Sequence, residues 1–213
     1  MSVNLNPEKA LIFRIVHAAN VPWILDHGLH CRSSAEQDPD YINIGNKDLI
    51  DHRAKRRVPI PPGGVLSDYV PFYFTPFSPM MLNIKTGYGG ITPRENRDIV
   101  IFVSSLHRLA EMGIPFLFTN QHAYTVDAEF FNRVEDLDRI DWSLLQSRNF
   151  KTDDNDPGKG ARYQAEALVH RHVPLAALSG IGCHDEAVRQ RLQSVIESHG
   201  LSLTVKSTPT WYF

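Results

Sequence analysis

The run Arg162-Tyr163-Gln164-Ala165-Glu166-Ala167-Leu168-Val169 sets one carboxylate at the head of an otherwise apolar, strand-like stretch. A polar loop, residues 153–160, leads into it and carries Gly158 and Gly160. A charged side chain is costly to bury unless it is paired or put to use. Glu166 therefore either faces water at a strand end or serves a site as fixed negative charge. Positive charge is concentrated elsewhere: Arg53, Lys55, Arg56 and Arg57 follow His52. Such a cluster suits phosphate oxygens and equally forms a solvated loop.

The common catalytic devices are missing. No Gly-x-Gly-x-x-Gly follows a strand and there is no Walker-type phosphate loop. No His-Glu-x-x-His or paired Cys-x-x-Cys offers zinc ligands, and no Gly-x-Ser-x-Gly elbow presents a nucleophile. His170 and His172 are spaced to share one strand face, but two histidines lack a third ligand. Cys31 and Cys183 stand far apart in no ligand spacing. Neither a metal nor a disulfide is expected.

Periodicity and caps give the elements that must hold these groups. Residues 11–17 read as a buried strand interrupted by Arg14. Asn20 is placed to cap a helix beginning at Val21 and ended by Gly28, and residues 29–31 start a short strand. From 32 to 64 the periodicity dissolves, and so long a polar connection, Arg53 included, is expected to be a functional loop. Residues 69–74 form an aromatic strand, and Ser78-Pro79 starts a short helix. A loop over 85–96 precedes the clearest buried strand, 98–103, followed by a helix over 106–112 and a strand over 115–119. Helices are expected over 128–134 and 142–147. Beyond the Glu166 strand, Asp185 caps a helix with Val188, Leu192, Val195 and Ile196 on one face. Gly200 closes it, and residues 201–205 give the last strand. Strands and short helices alternate without a βαβ rhythm or internal repeat, which favours α+β over a doubly wound sheet. One domain over 1–213 is expected.

Composition sets the outer limits. A hydrophobic share of 42% in 213 residues supports an ordinary core, and the net charge of −2 excludes a polycation. No apolar run approaches the roughly 20 residues that span a bilayer. Residues 1–9 show no basic start followed by an apolar block, so no secretory signal and a cytoplasmic location are expected.

Four segments carry a resemblance. They are Phe13-Arg14-Ile15-Val16-His17, the basic stretch ending in Val58-Pro59-Ile60-Pro61-Pro62-Gly63-Gly64, the block Asp68-Tyr69-Val70-Pro71-Phe72-Tyr73-Phe74 with Ser78-Pro79-Met80 behind it, and Tyr163-Gln164-Ala165-Glu166. In this order and at these separations the chain resembles, over essentially its whole length, the DarT family of DNA-targeting ADP-ribosyltransferase toxins. The resemblance implies an α+β fold of the ADP-ribosyltransferase kind, a split mixed or antiparallel sheet with flanking short helices. It implies NAD⁺ as substrate in a central cleft, no metal, and sequence-dependent transfer of ADP-ribose to a base of single-stranded DNA, with thymine the expected base. A macrodomain antitoxin encoded alongside is implied as partner.

Residue by residue, the resemblance makes Glu166 the carboxylate that hydrogen-bonds a ribose hydroxyl and stabilises the oxocarbenium-like charge as nicotinamide departs. It makes Arg53 the second catalytic residue, with Lys55 the nearest alternative. Because arginine is a poor base at its ordinary pKa, positioning and charge stabilisation suit it better than proton abstraction. Cofactor contacts are expected from Arg14, which stands where related toxins often carry histidine and suits a pyrophosphate or ribose, and from Arg53. The backbone of Ile15 and Val16 is placed to hold the nicotinamide amide, while Trp23 and Tyr73 offer stacking faces. The loop over 33–57 should fold over NAD⁺. The region 122–164 should read the target, with His122 in the cleft and Lys159 and Arg162 on backbone phosphates; Phe77, Tyr88 and Tyr124 are the candidate base platforms along the chain. Two rival readings stay open. In one, the same fold uses RNA, protein or water as acceptor; in the other, the chain is a non-catalytic nucleic-acid-binding module.

Overall fold

The computed structural model describes residues 4–213. Its strands are β1 (Leu11–His17), β2 (Leu29–His30), β3 (Tyr69–Tyr73), β4 (Ile99–Ser105), β5 (Phe116–Thr119), β6 (Phe130–Phe131), β7 (Glu166–His170), β8 (His172–Val173), β9 (Gly180–Cys183) and β10 (Val205–Ser207). Its helices are α1 (Val21–His27), α2 (Lys47–Arg53), α3 (Pro79–Thr86), α4 (Leu106–Glu111), α5 (Trp142–Ser147), α6 (Lys159–Arg162) and α7 (Glu186–Ser198). Eight strands form one sheet in the order β10-β9-β4-β1-β3-β7-β5-β6, while β2 and β8 form a separate pair. Among the described residues only β9 and β10 run parallel; the other neighbours are antiparallel.

The sheet is split in the middle. All of β1 pairs with β4, from Leu11 opposite Ser105 to His17 opposite Ile99. All of β3 pairs with β7, from Tyr69 opposite His170 to Tyr73 opposite Glu166. Between the two halves, β1 and β3 share a single register pair, Phe13 opposite Tyr73. The edge of β1 beyond Phe13 thus has no ladder partner on the β3 side. A gap in the ladder leaves strong backbone donors and acceptors available to something else.

The burial explains the strands. β4 is Ile-Val-Ile-Phe-Val-Ser-Ser and its first four residues are buried, as expected of a strand covered on both faces. A main apolar cluster runs from Leu5 through β1, β4 and β9 to α7. α7 is capped by Asp185 Oδ1, which accepts from Val188 N at 2.9 Å, and buries Val188, Leu192 and Ile196 on its inner face. A second, smaller cluster joins Val58, Leu66, Tyr69, Leu117, Ala123 and Leu168. It ties the turn over 57–65 and the segment after β5 to the β3–β7 half.

Several sequence expectations need correction. The polar stretch 32–64 contains α2, a helix that fully buries no apolar side chain and so leaves no apolar period to read. The helix expected over 128–134 does not form: Phe130 and Phe131 form β6, with Phe131 opposite Phe118 and their rings stacked at 5.3 Å, and a 3-10 helix begins only at Val134. Asn20 precedes α1, but its side chain makes no cap bond there. Instead its amide donates to Ile42 O and its carbonyl accepts from Ile42 N, pinning the loop after β2. The last strand is Val205–Ser207 rather than 201–205, because its parallel register on β9 begins at Val205 opposite Ile181. His170 and His172 do not share a strand, since Arg171 between them has φ 64° and separates β7 from β8. A short helix, α6, intervenes between the polar loop and the Glu166 strand.

Candidate active site

Glu166 is the first residue of β7, directly opposite Tyr73 at the end of β3 that faces the split. Its backbone N–H leaves the β5 ladder and donates to the Thr119 hydroxyl at 3.3 Å. That hydroxyl donates in turn to Gln121 O at 2.6 Å, folding the chain sharply at the end of β5. The turn then places His122 and Ala123 over the carboxylate: His122 N donates to Ala161 O at 2.9 Å, and Ala123 N donates to Glu166 Oε1 at 2.9 Å. The buried Ala123 side chain in the smaller cluster fixes the position of that N–H.

The counter-charge comes from α2. Asn46 caps this helix, its Oδ1 accepting from Leu49 N at 2.9 Å, while its amide donates to Gly89 O at 2.7 Å. Asp48 lies in the first turn and His52 and Arg53 in the last, matching the helix dipole at both ends. Arg53 ends the helix and points its guanidinium at Glu166 as a two-pronged pair: Nη1 donates to Oε1 at 2.9 Å and Nη2 to Oε2 at 2.7 Å. The side chains are 13% and 3% exposed. This fork-on-carboxylate geometry is the strong form of an ion pair.

Charge states follow from that pairing. Burial alone would raise the Glu166 pKa, but the Arg53 guanidinium, the nearby His122 and the Ala123 N–H outweigh it and hold the group below its ordinary value. Arg53 is pushed up: burial opposes its charge, and Glu166 more than compensates. Tyr73 is pushed up to about 12, by burial and then by the Glu166 charge. His122 Nε2 lies 3.9 Å from Glu166 Oε1, and its pKa is lowered by burial, with Arg53 adding to the effect against Glu166. At neutral pH the centre is therefore a carboxylate, a guanidinium, a neutral imidazole and a phenol. Among the described residues Glu166 Oε1 accepts two hydrogen bonds and Oε2 accepts only that from Arg53, so Oε2 keeps a lone pair for a hydroxyl donor.

The other candidate residues fall into groups. Arg14 on β1 donates from Nη1 to Pro71 O at 3.1 Å, and its Nε is buried without a hydrogen-bond partner among the described residues. Its charge acts on the Tyr73 hydroxyl, which places it beside the same centre. Ile15 and Val16 are buried in side chain and lie on the part of β1 whose outer edge is unpaired. Trp23 packs on the main core and stacks on His27 at 4.4 Å. Lys55 is exposed, so Arg53 rather than Lys55 meets the carboxylate. Arg162 already holds Asp156 in a fork at 3.1 and 2.6 Å and Asp141 at 3.4 Å. Lys159 lies 3.8 Å from Asp153. Phe77 is stacked on Phe213 at 4.0 Å, with the Arg148 guanidinium 3.9 Å over its ring. Tyr88 is 73% exposed. The Ala123 N–H and the Thr119 hydroxyl have no counterpart among the sequence candidates, and Arg56, read there only as part of a basic cluster for phosphate, has a structural role. Arg56 donates to the carbonyls of Thr125 and Val126 at 3.1 and 3.4 Å and so tethers the loop beyond Ala123.

A mixed sheet split at its centre, with an acid at the head of the strand paired to one border of the split and a fixed arginine facing it, has the architecture of an ADP-ribosyltransferase. Comparison with known proteins gives the family. The family model for single-stranded-DNA thymidine ADP-ribosyltransferases, DarT, matches residues 13–213. A DNA ADP-ribosyl transferase of Escherichia coli O127:H6 (strain E2348/69 / EPEC) is 51% identical over 212 residues, covering 100% of this chain and 97% of that protein. The structure of Thermus sp. 2.9 DarT in complex with ADP-ribosylated ssDNA superposes with TM-score 0.86 at 30% identity, covering 100% of both chains. The same Thermus protein in complex with NAD⁺ gives TM-score 0.83 over 97% of this chain and 99% of that one. The chain belongs to the DarT family of single-stranded-DNA thymidine ADP-ribosyltransferases.

Proposed function

We infer that this protein transfers ADP-ribose from NAD⁺ to thymine in single-stranded DNA, with Glu166 and Arg53 as its catalytic residues. Breaking the nicotinamide–ribose bond leaves positive charge on the sugar. The Glu166 carboxylate, fixed by Arg53 and the Ala123 N–H, opposes that charge without having to reorient, which is the condition under which a fixed group lowers a barrier most. Its Oε2 lone pair accepts a ribose hydroxyl. Thymine has one ring nitrogen outside its own glycosidic bond, N3. The bond from C1′ to nicotinamide breaks, the bond from C1′ to N3 forms, and the N3 proton leaves, giving ADP-ribosyl-DNA, nicotinamide and a proton. Arg53, its pKa raised by Glu166, stays charged throughout. It stabilises the negative charge that develops on the base as the proton departs, and it is not itself the base.

Arg14 and the unpaired edge of β1 at Ile15 and Val16 border the split where the dinucleotide would enter. Tyr73, un-ionised and opposite Glu166, supplies a flat wall for the nicotinamide ring. His122 sits beside the carboxylate with a neutral ring. The ion pairs of Lys159 and Arg162 would have to exchange for phosphate contacts, a smaller gain than free cations offer. Among the described residues no helix is long and apolar enough to cross a membrane, and the reading places the protein in the cytoplasm with its DNA substrate. As a toxin of this family it is paired with an antitoxin that carries a macrodomain.

The observation that carries the reading is the buried two-pronged pair between Arg53 and Glu166 at the sheet split. The test is incubation with NAD⁺ and a pool of single-stranded oligonucleotides, read by mass spectrometry. ADP-ribosyl adducts on thymine-containing strands, absent with RNA of the same sequence, are expected. Nicotinamide release with no adduct on any strand would mean that water is the acceptor.

A further inference from the structure

One exposed aromatic pair beside the ion pair has no structural duty. Tyr124 follows Ala123, the residue whose N–H holds Glu166. The residue is 38% exposed, and its ring belongs to neither apolar cluster. Among the described residues its hydroxyl makes no hydrogen bond, only its backbone N–H doing so, to His122 Nδ1. The ring lies parallel to that of His52 to within 13°, with centroids 6.1 Å apart. His52 is itself exposed and immediately precedes Arg53. The pair therefore bridges the two segments that close on the ion pair, one ring from each side. Arg56 stiffens the arrangement by holding the Thr125 and Val126 carbonyls from the α2 side.

We propose that the Tyr124–His52 pair is the platform on which the acceptor base stacks, making Tyr124 a specificity and positioning residue for DNA. The proposal rests on the transfer reading above and names its base-binding surface. Stacking on an aromatic side chain is how single-stranded nucleic acid is held without a duplex to grip. The other aromatic candidates fit less well. Both faces of Phe77 are covered, by Phe213 and by Arg148. Tyr88 is open but stands on the turn that Asn46 holds at the opposite end of α2 from Arg53. Only Tyr124 joins an open ring face to adjacency, within the chain, to a group that touches Glu166. Two parallel rings near Arg53 also set the plane of the base, so that its ring nitrogen is presented edge-on to the sugar, the orientation that substitution at C1′ requires.

The test uses the full chain and a thymine-containing oligonucleotide in which single positions carry 5-bromouracil, a thymine isostere that crosslinks to adjacent aromatic rings on irradiation. The crosslinked peptide should contain Tyr124 or His52. In parallel, Tyr124→Ala should raise KM for the oligonucleotide roughly 5- to 150-fold, the range that loss of one stacked base spans, and Tyr124→Phe should restore it. The melting-temperature rise on adding NAD⁺ reports whether the cleft is intact. An unchanged KM in Tyr124→Ala overturns the proposal, as does a crosslink confined to Tyr88 or Phe77. Loss of the NAD⁺-induced shift in Tyr124→Ala also overturns it, because the ring would then be holding the loop over Glu166 rather than the base. Wild-type protein that modifies no oligonucleotide refutes the transfer reading itself, a result distinct from these.

Discussion

Arg53 and Glu166 serve each other as counter-charge and, in doing so, make each other costly to remove. Deleting one member of a buried pair strands the other charge, which costs on the order of 3–5 kcal/mol. Replacing both with apolar groups of similar size is often neutral or stabilising. Arg53→Met and Glu166→Leu should each lower stability by about that amount, and the double variant should recover most of it, all three being inactive. Urea unfolding midpoints decide this, and strictly additive losses would contradict the buried pairing. Both charges were legible in the sequence: a lone carboxylate ahead of an apolar strand, and an arginine in a basic run. The third partner was not. The Ala123 N–H is a backbone group and leaves no trace in residue type. The Arg162 and Lys159 ion pairs with Asp141, Asp153 and Asp156 were equally hidden, because they depend on how the loop before β7 folds back.

At the scale of elements, the position of Arg53 depends on a helix of seven residues, α2, that fully buries no apolar side chain. So short a helix is unstable in isolation and must be held at its ends, by Asn46 at the start and by the Arg53–Glu166 pair at the finish. Asn46→Ala should therefore cost about 1 kcal/mol through the lost cap. It should also lower kcat for transfer, because the guanidinium is no longer delivered at a fixed angle. Oligonucleotide turnover at saturating NAD⁺ measures it, and unchanged kcat with a lower melting temperature would separate the cap from the chemistry. The helix escaped a reading by hydrophobic period because it has no buried face. The signal available was Asn46 followed by Asp48, with basic residues four and five positions beyond, a cap-and-dipole signature without an apolar stripe. β6 failed for the opposite reason: its two phenylalanines fit a helix and a strand equally, and only pairing with β5 separates the two.

For the whole molecule, the defining feature is a sheet whose two halves meet at one register pair, Phe13 opposite Tyr73. The separate strands were legible from β-branched and aromatic runs, but the split is a relation between strands distant in sequence and has no local signature. Ionisation ties the molecule's stability to pH. His17, His122 and His170 all have lowered pKa values, with burial the leading cause in each. As pH falls, the unfolded chain takes these protons first, so stability must rise with pH across the range between the folded values and the ordinary value of 6.5. Glu166 acts lower down: its folded pKa lies below 4.5, so its contribution is complete above that value and is lost only as pH falls through the folded one. Melting temperature should accordingly decline as pH falls below 6.5 while Glu166, whose folded value lies below 4.5, stays ionised. A flat profile would mean that these histidines are solvated in the folded protein.

The central claim is that the Glu166 carboxylate stabilises the departing sugar cation, and the most direct measurement is transfer by Glu166→Gln compared with wild type at saturating NAD⁺ and oligonucleotide. Glutamine keeps the shape and removes the charge. The account predicts a fall in kcat of at least about 10²-fold, with the NAD⁺-induced rise in melting temperature retained. A Glu166→Gln protein that transfers ADP-ribose at the wild-type rate would contradict it.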